Sequence, residues 1–301
     1  MELVRIIKGV GGLFTAEKLD ENGVGTGELF SCRARGSLRR EGMTPLPGDI
    51  AEVEHSRERK GEDVITAIRP RKNSLVRPAC ANVDLMVLVT AVKDPEPDLF
   101  LLDKLTATAV DNGIDVLMLV NKSDLASPQE LADIYQKAGF TVFSFSAQNA
   151  DEGTIARIRA MITGKTVFFA GASGVGKSST INALYPALSL ETGALSEKIA
   201  RGKHTTRKTE LYKLDDTTYI ADTPGFSMLE IAEYRLIPKE HLLSSFPDIE
   251  ALAGACRYKS CTHIREEGCG VIGAIGKEIA ASRHESYKLL YEELKNTHEW
   301  D

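Results

Sequence analysis

NKSD, residues 121–124, and GASGVGKSST, residues 171–180, decide the fold of this chain by the order in which they occur. In the second stretch Gly171, Gly176, Lys177 and Ser178 fill the G-x-x-x-x-G-K-S template, between the apolar run KTVFFA and the helical run SSTINALY. Glycines there let backbone N–H groups approach phosphates, and the start of the helix adds its positive dipole end. Lys177 would reach the β- and γ-phosphates and Ser178 would hold Mg²⁺. Ala172, Ser173, Gly174, Val175 and Ser179 complete the expected cradle. In the first stretch Asp124 can accept hydrogen bonds from N1–H and the 2-amino group of guanine, neither of which adenine offers. Asn121 can meet the polar edge of the base, with the stem of Lys122 over the ring. The competing reading is a cap for the helix that begins near LASPQEL. Context argues against it, because NKSD ends the buried strand IDVLMLV. FSFSAQN ends the next strand, where Ser146 and Ala147 match a backbone clamp on the guanine carbonyl.

A base reader normally follows its phosphate loop, but here it precedes the loop by about fifty residues. DTPG, residues 222–225, comes about fifty residues after the loop, behind the strand YIA. Asp222 suits Mg²⁺ and the Gly225 amide suits a γ-phosphate. Joining DTPG forward to VDLMVLVTAV, residues 83–92, restores the usual strand order. The sequence therefore reads as a circularly permuted P-loop GTPase domain, a rearrangement that costs little where termini are close and at the surface.

The flanking segments differ in pattern. Residues 1–75 read as short alternating strands broken by Gly, Asn-Gly and Pro-Gly, which suggests a closed antiparallel barrel. From Ala81, apolar strands alternate with helices, as in a doubly wound α/β sheet. After YIADTPGF the alternation stops, and a loop-rich region leads into a helical tail. There, Cys256, Cys261, His263 and Cys269 offer four ligands within fourteen residues, a closed Cys₃His set suited to one structural zinc ion. The expected division is 1–75, 76–230 and 231–301.

NKSD, GASGVGKSS, GKHTTR and DTPGF together make the chain resemble the RsgA (YjeQ/YloQ) family of small ribosomal subunit biogenesis GTPases, over essentially its whole length. The resemblance implies an N-terminal OB-type barrel, a permuted GTPase and a C-terminal zinc domain. It further implies GTP hydrolysis stimulated by the small (30S) subunit, late in that subunit's maturation. Phe226 occupies the place after Gly225 where many GTPases carry a water-orienting glutamine. The search for a substitute leads to RGKHTTRKTE, residues 201–210. His204 is the candidate there for catalysis, which the resemblance supports, and Thr205 or Thr206 for a second Mg²⁺-directed hydroxyl.

Bulk properties agree with a soluble chain of ordinary composition. It has 301 residues and a formal net charge of −6, which disfavours binding RNA by charge alone. Residues 1–75 hold 13 basic against 12 acidic residues, so rRNA contact would rest on local patches such as Arg33, Arg35, Arg39 and Arg40. No apolar run approaches the roughly 20 residues of a membrane span. Five cysteines are an odd count that argues against a disulfide framework. The expected protein is a cytoplasmic monomer that binds GTP and GDP, the small subunit and its rRNA, and no membrane. The alternative is a GTP-sensing RNA-binding switch with little hydrolysis.

Overall fold

The computed structural model describes residues 1–56, 62–76, 79–188, 209–222 and 237–295, apart from the side chains of Arg39 and Asp222. The described residues form two compact units: 1–86, 155–169 and 209–222, and 87–154, 170–188 and 237–295.

The first unit begins with β1 (Glu2–Val10), β2 (Leu13–Leu19), β3 (Gly25–Ala34), β4 (Ile50–Glu54) and β5 (Asp63–Ile68), with the one-turn helix α1 (Gly36–Arg40) after β3. Their order is β1-β2-β3-β5-β4, and β4 pairs back onto β1, so the five strands close a barrel. Alternation explains the closure. Val4, Ile6, Phe14, Ala16, Cys32, Ala51, Val53 and Ile65 point inward and pack into one core, because successive side chains of a strand face opposite sides. The segment SCRARGSLRREG stays at the surface and carries two exposed ion pairs. Arg33 pairs with Glu62 at 2.7 Å and Arg35 with Glu54 at 3.7 Å, and α1 takes up the rest of the basic run.

After the short ladder of β6 (Ser74–Leu75) and β7 (Cys80–Ala81), the chain enters β8 (Leu85–Ala91), buried at every position as expected of an internal strand. There follow α2 (Leu99–Asp111), β9 (Asp115–Asn121), α3 (Gln129–Lys137), β10 (Thr141–Ser144), α4 (Glu152–Ile162), β11 (Thr166–Ala170) and α5 (Lys177–Leu184). This is the alternation read from the sequence. A hairpin of β12 (Glu210–Lys213) and β13 (Tyr219–Asp222) completes the first unit, with β11 parallel to β13 and β1 pairing antiparallel to β12. The sequence pattern does not single out β12, whose four residues include only one buried apolar side chain, Leu211.

In the second unit the strand order is β10-β9-β8, with β10 parallel to β9. Its C-terminal region holds α6 (Pro247–Ala253), α7 (Gly270–Gly273) and α8 (Ala281–Lys295). The stripe Tyr287, Leu290 and Leu294 of α8 packs with Phe246, Ile249, Val271 and, from α2, Ala107. A charged group also crosses this contact. Arg283 is fully buried, donates to Asp103 of α2 at 2.9 Å and to Asp248 of α6 at 2.8 Å, and lies 4.6 Å from the centre of the Phe246 ring. Burial opposes its charge, but the two carboxylates hold the guanidinium protonated well above its usual range. Removing one partner from such a pair strands a buried charge. Arg283→Ala should therefore destabilise the protein by about 3–5 kcal/mol, read as a lower urea midpoint. An unchanged midpoint would show that the network is dispensable.

Candidate guanine-nucleotide site and metal centre

Asn121, the last residue of β9, is 2% exposed and sits between two loops. Its side-chain Nδ2 donates to the Val175 carbonyl at 2.8 Å, and its Oδ1 accepts from the Ala147 amide at 3.0 Å. One amide thus ties the phosphate loop to the clamp after β10, and Asn121 itself lies 54 residues from Val175 in sequence. The phosphate loop accommodates this contact because Gly176 has φ +93°, and a Cβ there would run into the Asn121 amide. Gly176 lies directly before α5, so the loop's backbone turns into the helix at the point where the brace acts.

The neighbouring groups are arranged on the same loops. Asp124 is exposed and accepts from the Ser146 hydroxyl at 2.6 Å, which fixes one carboxylate oxygen. It does not cap α3, which starts at Gln129 with no side-chain cap. Lys122 is held at φ +59° with its ammonium on the Asp94 carbonyl. Lys177 donates to the Gly171 and Ala172 carbonyls at 2.5 and 3.0 Å, and burial lowers its pKa from the ordinary lysine value. Ser173 and Gly174 are exposed at the tip of the loop, Val175 is buried under it, and Ala172, Ser178 and Ser179 are half-buried. These residues of NKSD, SA and GASGVGKSS therefore converge. Asp222 ends β13 in the other unit, while His204, Thr205, Thr206 and Gly225 lie outside the described residues.

A second cluster lies in the loops around α7. One ligand atom from each of Cys256, Cys261, His263 and Cys269 lies within 4.8 Å of all the others. Cys256 Sγ is 3.4 Å from His263 Nδ1 and 3.7 Å from Cys269 Sγ, and Cys269 Sγ is 3.5 Å from the same Nδ1. A tetrahedral ion with ordinary zinc bond lengths needs S–S edges of about 3.8 Å and S–N edges of about 3.5 Å. The three edges among Cys256, His263 and Cys269 match these lengths, and with Cys261 within 4.8 Å the cluster could hold a metal ion. Burial, assisted by His284, lowers the His263 pKa, which favours the neutral imidazole a metal requires. Burial pushes the Cys261 thiol up to about 12 in the absence of a cation. The loop is fixed from outside: Glu266 accepts from the Thr262, Ile264 and Arg265 amides, and His284 Nε2 donates to the His263 carbonyl at 2.7 Å. The four clustered residues are those the sequence spacing picks out, whereas Glu266 and His284 lack any ligand-like spacing.

The model of the RsgA GTPase family matches residues 68–232, and that of the RsgA N-terminal domain matches residues 5–62. The chain belongs to the RsgA GTPase family. It is 40% identical over 301 residues to the small ribosomal subunit biogenesis GTPase RsgA of Agathobacter rectalis, covering 97% of this chain and 98% of that one. The RsgA of Caldanaerobacter subterraneus is 41% identical over 295 residues, with 97% and 95% covered. Among solved structures, YjeQ from Thermotoga maritima superposes with a TM-score of 0.79 at 31% identity, with 99% of each chain covered. YloQ, described as a circularly permuted GTPase, gives 0.77 at 31% identity, with 98% and 96% covered. The RsgA fold of this chain is thus a permuted GTPase with an N-terminal OB-type barrel and a C-terminal Cys₃His cluster. No helix among the described residues is long and apolar enough to cross a membrane.

Asn121→Ala would leave the buried Val175 carbonyl unpaired, a loss of about 1–3 kcal/mol, and would release the half-buried Ala147 amide. Guanine-nucleotide affinity should fall by about tenfold or more, measured by titration with a fluorescent GDP. Affinity equal to the wild type would mean that the phosphate loop holds its shape without this brace.

Proposed function

We propose that the protein hydrolyses GTP in the maturation of the small ribosomal subunit, as a cytoplasmic monomer that binds the subunit through its rRNA. The observation that carries this reading is the Asn121 brace, which assembles a guanine reader and a phosphate loop in the permuted order within an RsgA-family chain. Relatives named as biogenesis GTPases over nearly the full length favour hydrolysis over a switch that only senses nucleotide. We divide the chain into a barrel (1–75), a permuted GTPase (76–230) and a metal-binding C-terminal region (231–301).

In this proposal Asp124 reads N1–H and the 2-amino group of guanine, and Ser146 and Ala147 clamp its carbonyl. The backbone of residues 171–176 and Lys177 hold the phosphates. Ser178, with Thr205 or Thr206 and with Asp222, holds Mg²⁺, and Gly225 senses the γ-phosphate. His204 positions the attacking water, since Phe226 has no group that could do so. Zinc occupies the Cys₃His cluster, because three thiolates and one imidazole at these separations leave no open position and suit that ion.

Purified wild type should turn over GTP slowly and faster with small subunits. Asp124→Asn should weaken GTP and favour a xanthosine nucleotide, whose 2-oxo group needs a donor. His204→Ala should retain nucleotide affinity and lose most of its turnover; normal turnover would remove His204 from the reaction. Metal analysis should find about one zinc per chain, lost on Cys256→Ser or Cys261→Ser. A chain free of metal yet normally folded after residue 237 would rule out a structural zinc.

A further inference from the structure

We infer that Glu17, Lys213 and Tyr219 are positioning residues for GTP hydrolysis, locking the barrel onto the hairpin whose two outer ends lead to the γ-phosphate-handling stretches. The inference rests on the GTPase reading above and adds the barrel to the hydrolytic machinery. Glu17 is the starting point, since a carboxylate in a barrel strand is 1% exposed although it faces away from the barrel core. Its burial comes from the hairpin. Lys213 at the end of β12 donates to Glu17 Oε1 at 2.7 Å, and the Tyr219 hydroxyl at the start of β13 donates to Glu17 Oε2 at 2.7 Å. Lys213 also donates to the Gly25 carbonyl at 2.6 Å, and the Gly27 amide donates to Glu17 Oε1 at 2.8 Å. A Cβ on Gly25 would collide with the Tyr219 hydroxyl, so β3 must offer a bare backbone at this point.

Arg5, paired across the ladder with Glu17, extends the contact. Its guanidinium lies 4.5 Å from the centre of the Tyr219 ring, and Nη1 donates to Thr166 Oγ1 at 3.2 Å. At the far end of β12, Lys8 pairs with Glu210 at 2.8 Å beside the β1–β12 ladder. Barrel side chains therefore grip three strands. β11 leads into the phosphate loop, β12 follows RGKHTTRKT, and β13 runs into DTPG. An apolar contact would hold barrel and hairpin together equally well. A buried hydrogen-bonded cluster does something further, since its donors and acceptors are satisfied in one register only. Lys213 and Tyr219 sit at the turn end of the hairpin, so the lock acts on its outer ends through the register of β12 against β13, in which Glu210 faces Asp222, and through that register on the start of the segments that lead toward the γ-phosphate.

The test uses the full-length chain with Lys213→Met, Tyr219→Phe and the conservative Lys213→Arg. Affinity for a fluorescent GDP should stay within about twofold, because GDP carries no γ-phosphate for these stretches to meet. kcat should fall about tenfold in Lys213→Met at unchanged KM, less in Tyr219→Phe, and return in Lys213→Arg. In amide exchange, a slowly hydrolysed GTP analogue should slow β12, β13 and, in the wild type only, β2 around Glu17. Wild-type kcat in both Lys213→Met and Tyr219→Phe, or slowing that still reaches β2 in both, would overturn the inference even if both variants melt earlier. If Lys213→Met does not fold, Tyr219→Phe, which loses a single hydroxyl, decides by the same readouts. Absence of turnover in the wild type would sink the GTPase reading instead, and the exchange pattern would still decide whether the lock couples barrel and nucleotide.

Discussion

A nucleotide site split by permutation depends on one side-chain amide. Asn121 ends β9 and Val175 lies in the loop after β11, which the chain visits in reversed order, yet the Asn121 side chain donates to the Val175 carbonyl and accepts from the Ala147 amide. The bond to Val175 is buried and therefore made without competition from water, so losing it would orphan the Val175 carbonyl. The geometry of the loop follows from this brace. Gly176 has to be glycine to clear the amide, and Ala147 is drawn into place by the other end of the same group. The exposed Asp124 is then fixed through one carboxylate oxygen by the Ser146 hydroxyl.

Polar clusters in both units supply a specificity that apolar packing alone would not. Arg283 joins α8 to α2 and α6 through two buried carboxylates, which gives the C-terminal helices a single docking geometry. Glu17 does the same for barrel and hairpin, held in its charged form by Lys213, Tyr219 and Gly27 although burial opposes it. Each cluster sits where a segment outside the nucleotide-binding core meets a strand or helix of that core. Such contacts are costly to leave half satisfied, and that cost makes them specific. The Cys₃His cluster is a third polar group of this kind, whose four donor atoms lie within 4.8 Å of one another and could hold a metal ion.

Much of this was legible in the residues themselves. The glycine-rich loop, NKSD, DTPG and the cysteine spacing each combine a fixed chemistry with a fixed local geometry, so linear sequence carries them. Period-two alternation in residues 1–75 and continuous apolar runs from Ala81 likewise announce a barrel and an internal sheet, since they record which faces are buried. Other features left no such mark. Glu17, Lys213 and Arg283 read as ordinary surface charges because their partners lie far away in the chain: Glu17 and Lys213 are 196 residues apart, and Arg283 and Asp103 are 180 apart. The arginines of SCRARGSLRREG read as a basic surface patch, and the structure adds only that Glu62 and Glu54 stand beside two of them at the surface. Sequence by itself determined the chemistry and its permuted order, because motif residues act through their own backbone neighbours. Only the tertiary structure decided which charges are buried and what they hold, because burial and pairing are set by whatever the folded chain brings alongside.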